Sequence, residues 1–112
     1  MILILFSRYL RRTFQSAIHH HRPDLIVYLG DVFDEGSQAT DQEFLLYVNR
    51  LKEIFRTHNQ IKHIYVPGDN DVGGEGSDPR TVIKLERFHR FFNDTAVHRH
   101  KFIDFLPVSI QL

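Results

Sequence analysis

The chain has 112 residues, 42% hydrophobic and 25% charged, which excludes a multidomain enzyme and an unfolded polar chain and leaves room for one domain with a modest core. Fourteen Lys and Arg balance fourteen Asp and Glu, so no net field favours a nucleic acid partner, and the absence of cysteine excludes disulfides and thiolate chemistry. The charge is nonetheless sorted: residues 23 to 49 carry six acids and no Lys or Arg, whereas residues 84 to 101 carry Lys84, Arg87, Arg90, Arg99 and Lys101.

The chain opens on Met1 to Phe6, a short apolar run too short for a membrane span and without the basic flank of a signal peptide. A strand, or the cut end of a longer element, is expected there. Leu10, Phe14, Ala17 and Ile18 then recur at helical spacing, so residues 8 to about 20 read as an amphipathic helix that Pro23 ends. His19, His20 and His21 are consecutive, and helical neighbours point about 100° apart, so no more than two of them face one metal.

Leu25 to Leu29 is continuously apolar and stops at Gly30-Asp31, the pattern of a parallel strand near 25–30 covered on both faces. Gly36-Ser37 opens a loop. Thr40-Asp41-Gln42-Glu43 has the form of a capping box, and Phe44, Leu45, Val48, Leu51, Ile54 and Phe55 carry a helix over 41–56. A second apolar run near 61–66 ends in Gly68-Asp69. If the intervening helix is a crossover, the two strands are parallel and both Gly-Asp turns sit at the carboxyl edge, where open α/β sheets bind ligands.

Residues 68 to 76 read as a glycine-rich loop. Asp78 is expected as N-cap and Pro79 as first residue of a helix over 79–92, with Val82, Leu85, Phe88 and Phe92 on one side and Asn93-Asp94 at its end. Val108, Ile110 and Leu112 alternate as in a strand. His98 and His100 are expected at the surface. The fold class is therefore α/β, built on one βαβ unit.

Four carboxylates, Asp31, Asp34, Asp69 and Asp71, are expected at that edge. Each ionised pair ~5 Å apart costs roughly 3 kcal/mol at an effective dielectric of ~20. A divalent cation offsets this; so do protonation and splaying into water. Oxygen ligands suit magnesium, manganese, iron or zinc. An NTPase reading lacks a phosphate-binding loop, and an EF-hand at Asp69 fails because its twelfth position is Arg80.

Gly30-Asp31-Val32-Phe33-Asp34-Glu35-Gly36, followed by Gly68-Asp69-Asn70-Asp71, resembles the calcineurin-like metallophosphoesterases, nearest to the eukaryotic branch that removes ethanolamine phosphate from GPI anchors. The resemblance extends to Arg12-Thr13-Phe14-Gln15-Ser16-Ala17 and Lys84-Leu85-Glu86-Arg87-Phe88 and covers roughly residues 8 to 95. It implies a sandwich-type fold, of which residues 1–112 form one domain truncated at both ends. It also implies two divalent ions, manganese foremost with zinc or iron as alternatives. Asp31 then bridges the ions and Asp69 binds the second, in place of the family's asparagine. Asn70 stands where the family has a histidine and cannot transfer a proton; Gly30, Gly68, Asp34 and Asp71 support the turns. The implied substrate is a phosphodiester, the GPI glycolipid, at an endoplasmic reticulum or Golgi membrane, with no membrane span inside this chain. The family's Asp-x-His opening and later histidine motifs are not in the sequence, so this stretch alone is expected to be inactive. The alternative is a non-catalytic protein of the same fold that binds a metal weakly, or a partner through its sheet edge.

Overall fold

The computed structural model describes residues 2–92 and 97–108. Among them, four α-helices and four short strands follow one another as α1 (Ile2–His21), β1 (Leu25–Leu29), α2 (Asp41–Ile54), β2 (Lys62–Val66), α3 (Asp69–Val72), α4 (Val82–Phe92), β3 (His98–His100) and β4 (Ile103–Phe105). A 3-10 turn, Gly36–Gln38, lies between β1 and α2.

α1 takes in the opening apolar run, correcting the expectation of a strand there. No proline or glycine separates residues 2 to 21, so nothing stops the helix from running back through them. It ends where Arg22 turns to φ 47° and its N–H reaches the Ile18 carbonyl at 2.8 Å. Leu10, Phe14 and Ile18 are half-buried, and Phe14 meets Phe55 edge-on at 5.0 Å. Arg11 Nη1 donates to the Glu53 carbonyl at 2.5 Å and Gln15 Nε2 to that of Arg56 at 2.7 Å. The first serves one of the last carbonyls of α2, which lack a partner within the helix, and the second a carbonyl just beyond its end.

α2 starts as expected. Thr40 Oγ1 accepts from Glu43 N at 3.2 Å, and Glu43 Oε1 accepts from Thr40 N at 3.4 Å. The helix is the crossover between β1 and β2, which pair in parallel from Leu25 opposite Lys62 to Leu29 opposite Val66. One sheet face carries Tyr28, His63 and Tyr65; the tyrosine rings stack at 4.4 Å and Tyr28 meets Phe55 at 5.7 Å. Tyr28 Oη lies 3.1 Å from His63 Nδ1, and Thr57 Oγ1 2.6 Å from His63 Nε2. Burial holds the His63 pKa below its ordinary value and raises those of Tyr28 and Tyr65.

The other sheet face is only partly covered. Ile64 is buried, but Val27 is exposed and Leu29 is 86% exposed, so β1 is not covered on both faces. The core lies on the Tyr65 face of the sheet, where Phe44, Val48 and Leu51 of the crossover meet Phe33, Tyr65, Val72, Phe88 and Phe92. Arg87, buried, stacks its guanidinium 4.3 Å from the Phe44 ring centre and donates to the carbonyls of Ala39 and Gly36, both at 2.8 Å.

α4 begins three residues later than expected. Thr81 caps it, its Oγ1 accepting from Lys84 N at 3.3 Å, while Asp78 is drawn away to Ser37 Oγ and to Lys84 Nζ at 2.5 Å. Its expected end at Asn93-Asp94 lies outside the described residues, as do Ile110 and Leu112. Val108 belongs to no strand. In the tail, β3 and β4 instead form an antiparallel hairpin held by the Arg99–Asp104 pair at 2.6 and 2.8 Å. His98 and His100 are half-buried in it rather than exposed.

Candidate functional site

Both Gly-Asp turns emerge from the carboxyl ends of paired parallel strands, so the crossover topology alone brings them together. They touch. A Cβ on Gly68 would lie 2.5 Å from the Asp31 backbone nitrogen and collide with its carboxylate, and one on Gly30 would lie 3.3 Å from Gly68 Cα. Gly30 and Asp31 have φ of 84° and 50°, a left-handed pair that turns the chain sharply off β1. Asp31 is a non-glycine residue held in that region by what surrounds it: its Oδ1 accepts from Asn70 N at 3.2 Å.

Asp71 has the opposite fate. It is fully buried, and its carboxylate accepts from Gly68 N and Phe33 N, each at 2.9 Å, and from Val32 N at 3.2 Å. One side chain thus ties the turn after β2 to the turn after β1. Burial raises its pKa, and the three amides pull part of that rise back. The residues between form α3, a single helical turn where the sequence suggested loop.

Asp69 is hydrogen-bonded through its carboxyl to Glu75 and to Asp31, contacts that keep its pKa below the ordinary value, while the same contact with Asp69 raises that of Glu75. Asp69, Asn70 and Glu75 open onto a cavity of about 510 Å³ whose wall also includes Asp34, Glu35, Ser37 and Asp78. Asp31, Asp69 and Asn70 are therefore brought together; Asp34 is exposed on the cavity wall, and Asp71 supports from beneath. His98 and His100 are elsewhere, with His100 Nε2 3.5 Å from Asp24, which precedes β1 at the opposite edge.

Glu75 is the residue that sequence reasoning missed. Its signal was the alternation Gly73-Gly74-Glu75-Gly76, in which one acid rides a loop able to fold back on Asp69. The oxygen donors Asp31, Asp69 and Glu75 are of the type that a hard divalent cation takes. Among the described residues, however, no group of three or more His, Asp or Glu side chains is arranged to hold a metal ion. The fit is that of part of a ligand set.

A parallel βαβ unit with two Gly-Asp turns in contact at its carboxyl edge is the α/β frame of a metallophosphoesterase, and residues 7–111 match the family model described as calcineurin-like phosphoesterase. The chain belongs to that family. Curated relatives include Metallophosphoesterase 1 of Danio rerio, 36% identical over 102 residues, covering 89% of this chain and 26% of the relative. Metallophosphoesterase 1 of Xenopus laevis is 37% identical over 87 residues, 78% of this chain and 21% of the relative. The Metallophosphoesterase 1 homolog of Drosophila melanogaster is 32% identical over 103 residues, 90% of this chain and 27% of the relative. The chain thus spans about a quarter of the length of these relatives. No solved structure matches.

Proposed function

We propose that this chain supplies one acidic wall of a metal-dependent phosphoric ester hydrolase, with Asp31 and Asp69 as its cation-binding carboxylates. The observation that carries the reading is the contact of the two turns, Gly68 against Asp31, which sets the Asp31 and Asp69 carboxylates beside each other with Glu75 on Asp69. A divalent ion there, manganese foremost, supplies charge neutralisation and Lewis acidity toward a phosphoryl oxygen. The chain's own residues do the rest. The Asn70 backbone fixes Asp31 Oδ1, Asp71 holds both turns, and the Asn70 side-chain amide donates a hydrogen bond to substrate without transferring a proton.

The substrate class is a phosphodiester. By its resemblance to the GPI-remodelling branch, the finer reading is ethanolamine phosphate on a GPI glycolipid, at the endoplasmic reticulum or Golgi membrane, with the catalytic set completed in a longer protein. The test compares the full chain with Asp31→Asn in two assays, manganese binding by calorimetry and hydrolysis of bis(4-nitrophenyl) phosphate with added manganese. The proposal expects manganese binding that Asp31→Asn abolishes. Equal binding by both proteins removes Asp31 from the metal site. Equal hydrolysis rates with binding intact leave the chain a cation-binding piece without turnover.

A further inference from the structure

Along α1, Leu10, Phe14 and Ile18 are half-buried, whereas Leu5, Phe6 and Tyr9 are 58%, 57% and 65% exposed. Leu5, Tyr9 and Arg12 fall at i, i+4 and i+7, on the side of the helix opposite Leu10, Phe14 and Ile18, and Phe6 and Arg8 flank them. The helix therefore has two apolar stripes, one spent on α2 and one facing outward.

The outward stripe is set in positive charge. The first acidic residue of the chain is Asp24, so α1 carries Arg8, Arg11 and Arg12 with no carboxylate of its own. Arg11 is committed to the carbonyls that end α2. Arg8 and Arg12, one turn apart, are exposed along one flank of the Leu5 and Tyr9 stripe. Apolar and aromatic tips beside arginines, on a helix too polar to cross a membrane, are what an interfacial helix presents to anionic lipid. The arginine stems lie along the apolar surface and their heads reach phosphate.

We propose that this outward face of α1 docks on an anionic phospholipid bilayer, with Leu5, Phe6 and Tyr9 entering the headgroup–acyl boundary and Arg8 and Arg12 binding lipid phosphate. Charge complementarity selects this occupant over a second copy of the chain, whose α1 would set arginines against arginines. The surface is independent of the acidic edge, so the test needs neither metal nor turnover.

The experiment is co-sedimentation of the full chain with vesicles of phosphatidylcholine and phosphatidylserine, against vesicles of phosphatidylcholine alone. Binding to the anionic vesicles, weakened by salt, is expected. Arg8→Glu with Arg12→Glu should reduce it roughly tenfold or more. Phe6→Asp with Tyr9→Asp should abolish it, with helix content by circular dichroism unchanged because all four side chains are exposed. Phe102→Asp, at the exposed hairpin tip, should bind as the parent does. Equal sedimentation with both vesicle types, binding retained by the α1 variants, or binding lost in Phe102→Asp would each overturn the proposal. So would a dimer that Phe6→Asp with Tyr9→Asp dissociates and that leaves vesicles unbound.

Discussion

At the scale of single residues the site depends on Gly68 and Asp71, neither of which touches the cavity's contents. A methyl at position 68 has nowhere to go, since Asp31's backbone and carboxylate already fill that space. Gly68→Ala is therefore expected to cost about 1–3 kcal/mol in urea unfolding. Gly76→Ala provides the contrast: nothing lies within 4 Å of its added Cβ, and only its φ of 58° is unfavourable, for about 1 kcal/mol. If the two substitutions cost the same, close contact between the turns is not what requires glycine at 68. Asp71→Asn keeps the shape and loses an acceptor. Three backbone N–H groups then face one oxygen and one NH₂ group, a buried mismatch worth about 2–3 kcal/mol. Unfolding at neutral pH would measure it; a cost near zero would mean that the turns hold each other without this carboxylate.

At the scale of elements, the βαβ unit was legible because each of its parts carries a local signal. The continuous apolar strands, the Thr40–Glu43 capping box and the Gly-Asp stops all act within a few residues, and the parallel direction of the strands follows from them. Where competing or distant partners decide, the sequence was silent. Asp78 has the side chain of an N-cap and would serve as one, but Lys84 and Ser37 offer it a charge-assisted partner and Thr81 takes the cap. The opening Ile-Leu-Ile-Leu run has no periodicity to separate strand from helix, and its continuity with α1 decides the matter. Glu75 reaches Asp69 only once the glycine loop is folded. The Asp78 contacts also join the 3-10 turn to α4, and they set a pH dependence. Hydrogen bonds from Lys84 and Ser37 lower the Asp78 pKa in the folded state, so their stabilisation is fully present above the ordinary carboxylate value and is lost as pH falls through the folded pKa. Asp78→Asn is thus expected to melt below the parent at neutral pH, with the gap closing in acid. A gap independent of pH would show that Asp78 contributes through packing or neutral hydrogen bonds alone.

At the scale of the whole molecule, the chain is flat and half-clad. Its radius of gyration is 14.8 Å and its extents are 43 × 41 × 22 Å, against about 13 Å for a compact chain of this length. The β3–β4 hairpin, whose tip residue Phe102 is fully exposed, and the stretch of α1 exposed at Leu5, Phe6 and Tyr9 lie outside the core. The aromatic core joins α2, α4 and β2, while the second face of β1 remains bare at Leu29. An apolar side chain that is 86% exposed contributes almost no burial to folding in this chain, so its replacement by a charge removes little. Leu29→Lys is expected to shift the unfolding free energy by no more than about 0.5 kcal/mol and to lower the binding of an apolar-surface dye, whereas Leu51→Ala, in the core, should cost about 2–5 kcal/mol. A large loss from Leu29→Lys would show that this face is covered in solution, by a second copy of the chain if the loss depends on protein concentration and by the chain's own tail if it does not.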